Sequence, residues 1–140
     1  YTYFYLTTLW GDVPYIDHVL DWSESKVPKM KAAKIREKIY DDLDFAVKYL
    51  PKEWPASEYG RATQGAAYAL MSRLALYHGE WDRAAEAAQN CMQLNVYELN
   101  ENYSDLFLHK GEGCKEVILS VDYLENIQTN QHPRYTPAKQ

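Results

Sequence analysis

Residues 63–95 read TQGAAYALMSRLALYHGEWDRAAEAAQNCMQLN, and this stretch decides the fold. Thr63 puts a hydroxyl where a helix begins, able to accept from a free backbone N–H of the first turn. Ala67, Leu70, Met71, Leu74 and then Tyr77 or His78 follow at the spacing of one apolar helical stripe. Gly79 ends that helix, because glycine takes the left-handed backbone of a helix terminus without strain. After this short turn Trp81 opens a second helix, with Asp82 at its positive end. Ala84, Ala88 and Cys91 recur at i, i+4 and i+7, a row of small residues that lets a neighbouring helix come close. Asn95 is suited to terminate it. The stretch reads as a helical hairpin.

A single hairpin cannot bury its apolar face alone, so such units stack. The tetratricopeptide pattern, with a period of about 34 residues, is the relevant comparison. With Trp81 at the aromatic that opens the pattern's second helix, Tyr68 falls on its first aromatic, Met71 on its leucine and Ser72 on its small position. Ala84 falls on its alanine and Cys91 on the later small position. Ala75 and Ala88 stand where aromatics are usual, and Val96 stands in place of the proline. Upstream, Ile35, Ile39, Leu43, Ala46, Val47 and Leu50 form another stripe, closed by Pro51. Ala46-Val47-Lys48-Tyr49-Leu50-Pro51 matches the closing half of the same pattern.

Working outward, residues 1–9 read as a helix stopped by Gly11 and Pro14. Residues 15–30 show no period and read as loop, as do residues 51–62 with Pro51, Pro55 and Gly60. A short helix is expected over Tyr103–Leu108. Glu116 to Val121 has the β-branched content of a strand, and the tail from Asn126 reads as irregular. The fold class expected is mainly α, tetratricopeptide-like repeats with a short β element near residues 116–123, in one domain over 1–140.

The chain has 140 residues, 46% apolar and 25% charged, which suits one globular unit. A net charge of −5 argues against nucleic acid as a partner. The densest basic stretch, Lys26 to Lys38, is followed at once by Asp41, Asp42 and Asp44 and reads as a solvated face. The longest apolar run, Ala66–Met71, falls well short of the ~18 residues of a membrane helix. Tyr1 opens directly in an aromatic stretch, and the chain is expected to be an internal piece of a longer protein. Cys91 reads as a small core residue and Cys114 as part of a turn, with no disulfide expected between them.

Catalytic patterns are lacking. His18, His78, His109 and His132 are isolated, so neither a metal nor a cofactor is expected. No Gly-rich phosphate loop and no GxSxG occur. Asp41, Asp42 and Asp44 sit too close along one helix to face each other across a substrate. The aromatic content is the unusual feature: 13 Tyr, 4 Trp and 3 Phe bring aromatics to 14%. Most fall in expected helices or the strand. Trp10, Tyr15, Trp22, Trp54, Tyr59, Tyr97 and Tyr135 fall in expected loops, each either a plug over the core edge or an open platform for a sugar ring. Trp10, Trp22, Trp54 and Tyr59 are the candidate ligand-binding residues.

In this order the segments resemble the SusD/RagB family of cell-surface nutrient-binding lipoproteins. The matching residues begin with Tyr3-Phe4-Tyr5-Leu6 and Leu9-Trp10-Gly11-Asp12-Val13-Pro14. Ile39, Asp42, Leu43 and Ala46, closed by Leu50-Pro51, follow. Next come Gly60-Arg61-Ala62-Thr63-Gln64-Gly65-Ala66-Ala67 and Leu76-Tyr77-His78-Gly79-Glu80-Trp81-Asp82-Arg83-Ala84. Tyr103, Leu106 and Phe107, then Glu116 and Ile118, complete the series. The resemblance implies a tetratricopeptide-like scaffold beneath a glycan-binding surface. It also implies a non-catalytic role in polysaccharide utilisation, with a glycan or oligosaccharide ligand and a SusC-like TonB-dependent transporter as partner. Location would be the outer membrane at the cell surface, held by a lipid anchor outside this chain. Within the matched motifs Gly60 is expected to serve a turn, Arg61 to satisfy nearby carbonyls, and Gly65 and Ala66 to allow close packing. A tetratricopeptide protein adaptor and a helical glycoside hydrolase fragment are the alternatives.

Overall fold

A computed structural model of the chain describes residues 1–108, 111 and 113–121. His109, His132, Tyr135, positions 122–123 of the expected β element and the tail from Asn126 lie outside the described residues. The order is α1 (Thr2–Trp10), β1 (Val13–Pro14), β2 (Lys29–Met30), α2 (Ala32–Tyr49), α3 (Gln64–Tyr77) and α4 (Trp81–Met92). Short 3-10 turns cover Trp22–Glu24, Ala56–Glu58 and Tyr103–Phe107. Each helix packs on the one before it: α2 on α1, α3 on α2 and α4 on α3. This is the serial stacking expected of helical repeats.

The stripes read from the sequence form the core. Ile35, Ile39 and Leu43 of α2 meet Ala67, Met71 and Leu74 of α3, with Phe4 of α1 closing one end. Phe4, Ile35 and Leu74 are at most 1% exposed. Tyr40 is also buried, and its hydroxyl donates to Glu80 Oε2 at 2.8 Å. Arg36 Nε lies 3.4 Å from Glu80 Oε1, so one carboxylate at the α3–α4 turn ties that turn to α2.

The punctuation follows local chemistry. Thr63 Oγ1 accepts from the Ala66 N–H at 3.3 Å and caps α3. Gly11 and Gly79 take φ of 69° and 71°, which a side chain would resist. Asp12 accepts from the Ala32 N–H at 2.9 Å and pairs with Lys31 at 3.1 Å, which fastens the turn after α1 to the start of α2. These contacts hold the Asp12 carboxyl below its usual range.

Several expectations are corrected. Glu116 to Val121 is turn and irregular backbone, not strand. β-Branched side chains favour extended backbone, but a strand also needs a partner edge. Here the segment is fastened instead by the Glu98 N–H to the Lys115 carbonyl (3.3 Å) and by the Asn100 N–H to Glu116 Oε2 (2.7 Å). Antiparallel pairing occurs earlier, between Val13 and Met30 and between Pro14 and Lys29, bracketing the loop. In α4 the buried row is Ala84, Ala87 and Cys91, with Ala88 exposed. Trp10 belongs to the end of α1 rather than to a loop. Tyr77 and His78 are exposed, although Tyr77 meets the Phe4 ring edge-on at 5.5 Å.

Candidate functional site

The loop between α2 and α3 converges with residues 96–97 and 113–120 on a cleft of about 190 Å³. Proline ends α2, Gly60 turns the loop at φ 91°, and Thr63 starts α3, so three local rules aim this loop at one end of the hairpin.

Trp54 and Tyr59 both line the cleft, but in different states. Trp54 Nε1 donates to the Ala62 carbonyl at 2.8 Å, and the Arg61 guanidinium lies 5.4 Å over its ring. Arg61 in turn pairs with the Glu58 carboxylate, rather than serving carbonyls. Trp54 is therefore held as a plug, with Arg61 over its ring. Tyr59 is 60% exposed and offers an open aromatic face beside Gly113. Tyr97 forms the wall between them and α3. Its hydroxyl hydrogen-bonds Thr63 Oγ1 at 2.8 Å, and burial pushes its phenol upward. Gly65 lies directly beneath the Tyr97 ring, so the expected close packing occurs against a loop tyrosine.

The rest of the lining is mixed. Val96, Val117, Ile118 and Leu119 supply apolar surface, while Lys52, Thr63 and Ser120 add polar groups. Lys115 pairs with Glu98 at 3.2 Å. A mostly apolar wall with a few hydrogen-bonding groups suits a neutral, hydroxyl-rich ligand with flat apolar faces. Cys114 lines the cleft, but neither described histidine does. His18 lies between Asp17 (2.9 Å) and Glu24 (3.4 Å), whose carboxylates raise its pKa. His78 sits at the α3–α4 turn, where burial and Arg36 lower its pKa. No group of three or more His, Cys, Asp or Glu is placed to hold a metal ion among the described residues.

Of the four candidate residues, the structure brings Trp54 and Tyr59 together and leaves Trp10 and Trp22 elsewhere. Trp10 is 66% exposed at the end of α1. Trp22 is 94% exposed on a turn fixed by reciprocal bonds between Asp21 and Glu24. Thr63 and Ser120 join the cleft without any sequence signal for binding. Tyr97 was legible as one of the seven loop aromatics, and the structure makes it a wall residue bonded to Thr63.

Residues 1–76 match the model of a SusD-like family whose description is "Starch-binding associating with outer membrane". SusD-like protein P2 of Formosa agariphila is 32% identical over 139 residues, which cover 93% of this chain and 26% of that protein. The crystal structure of a SusD-like carbohydrate binding protein from Bacteroides fragilis superposes with a TM-score of 0.81 at 33% identity, covering 89% of this chain and 25% of that one. A laminarin binding SusD-like protein superposes with a TM-score of 0.77 at 30% identity, covering 84% and 27%. The chain thus spans about a quarter of the length of the relatives it matches.

Proposed function

The chain belongs to the SusD-like family, and from that premise we propose that it forms part of a non-catalytic glycan-capture protein. The protein works at the outer-membrane surface and delivers its ligand to a SusC-like TonB-dependent transporter. The observation that carries the reading is the likeness, over most of this chain, to a carbohydrate binding and a laminarin binding protein.

The cleft gives the reading a physical form. The open face of Tyr59 packs against the C–H face of a sugar ring, and Lys52, Thr63 and Ser120 receive its hydroxyls. Trp54 supports the floor of that contact. Among the described residues Glu53 is the carboxylate in the lining.

The test is calorimetry on the full-length protein with a panel of glycans that includes laminarin oligosaccharides, followed by chromatography of the recovered glycan. At least one glycan binds and is recovered intact. Tyr59→Ala weakens binding about tenfold, while Trp22→Ala leaves it unchanged. Absence of binding across the panel, or shortened glycan, overturns the proposal. Co-purification with a TonB-dependent transporter tests the delivery step separately.

A further inference from the structure

On another face of the molecule, a groove of about 310 Å³ runs between α2 and α4 with α3 beneath it. Val47 and the buried Met71 and Ala87 are its apolar lining residues. Asp44 comes from α2, Tyr68 from α3, and Glu86 and Asn90 from α4.

The polar groups around it differ in what they already do. Arg83, also in the lining, is occupied: it lies 3.5 Å from Glu80 Oε2 and stacks 4.1 Å over the Tyr40 ring. Asp44 and Glu86 have no ion-pair partner, and Tyr68 and Asn90 no side-chain hydrogen-bond partner, among the described residues. Two uncommitted carboxylates on different helices thus line one groove, mostly polar at its surface, beside a phenol and an amide with no side-chain hydrogen bond among the described residues. The Tyr40 ring carries the Arg83 guanidinium over it, which disfavours ring stacking by a sugar.

We propose that this groove docks an extended, basic segment of a partner protein. A Lys or Arg of that segment lies between Asp44 and Glu86, its aliphatic stem covers Val47 and Met71, and its backbone meets Tyr68 and Asn90. The sign of the charge selects this occupant: the groove's uncommitted charges are negative, and the chain as a whole carries −5. The glycan cleft plays no part in it.

Fluorescence anisotropy with the full chain tests the proposal, using a fluorescein-labelled peptide of alternating lysine and glycine and its glutamate–glycine counterpart. The lysine peptide binds and the glutamate peptide does not. Asp44→Asn with Glu86→Gln weakens the lysine peptide about tenfold. Glu37→Gln with Glu101→Gln removes the same charge outside the groove and changes affinity less than about twofold. Equal weakening by the two pairs reduces the effect to bulk charge and overturns the proposal. So does displacement of the peptide by laminarihexaose, which would make the groove a sugar site. Asn90→Ala with Tyr68→Phe, which leaves charge untouched, also weakens binding; an unchanged affinity overturns the proposal.

Discussion

Replacing Gly65 with alanine sets two effects against each other. Alanine is the better helix former by up to about 1 kcal/mol, and by less than that so near the helix start. Yet a Cβ at position 65 falls inside contact distance of the Tyr97 ring, 2.6 Å from its Cζ. Tyr97 must swing away, and in doing so it gives up its 2.8 Å hydrogen bond to Thr63. That bond is worth roughly 1 kcal/mol. Forcing a methyl group into a packed site costs about 1–3 kcal/mol in strain. The expected net loss is about 1–3 kcal/mol once the helix gain is subtracted. Urea unfolding followed by circular dichroism measures it in the wild type, Gly65→Ala, Tyr97→Ala and the double variant. With Tyr97 gone, Gly65→Ala becomes neutral or slightly stabilising, so the two substitutions couple strongly. A Gly65→Ala cost that is the same with and without Tyr97 would refute the reasoning, since the methyl would then clash with something else. The same displacement deforms the cleft wall, so Gly65→Ala also weakens glycan binding.

Phe4→Ala and Leu74→Ala each empty a fully buried site and lower unfolding free energy by about 2–5 kcal/mol, readable from the same urea curves. Tyr40 titrates late, its phenol pushed from 10 up to about 12 by burial and the Glu80 carboxylate. The raised value adds stability that is whole below pH 10 and lost as pH rises towards 12, and Tyr40→Phe removes that alkaline dependence in urea titrations. His18 titrates above its ordinary value of 6.5 because Asp17 and Glu24 favour the imidazolium. Its small stabilisation is full below that value and fades as pH rises through the raised one, and Asp17→Asn with Glu24→Gln returns the NMR titration towards normal.

The parts of the fold that were legible in the sequence are those governed by local rules. The α2 stripe, the Thr63 cap and the Gly79 turn each depend on neighbours within a few residues, so spacing and residue type reveal them. The buried row of α4 was less legible. Ala84, Ala85, Ala87 and Ala88 all accept burial, and the partner helix α3 decides which do. Glu116 to Val121 misled because residue preference reports extended backbone but not whether a neighbouring edge exists. The pairing of Val13 with Met30 was hidden for a related reason: two residues per strand show no alternation. At the site, Tyr59 and Trp54 were legible as loop aromatics. Which one is open was not, because it depends on Arg61 lying over Trp54 rather than over Tyr59.

The cleft's role is tested most directly by NMR on isotopically labelled protein, adding a glycan shown to bind by calorimetry. Shifts are expected to concentrate on Tyr59, Thr63 and residues 113–120, with the Trp54 indole N–H moving and the Trp22 indole N–H still. Shifts centred on Trp22 or Trp10, with the cleft resonances unmoved, would contradict that role.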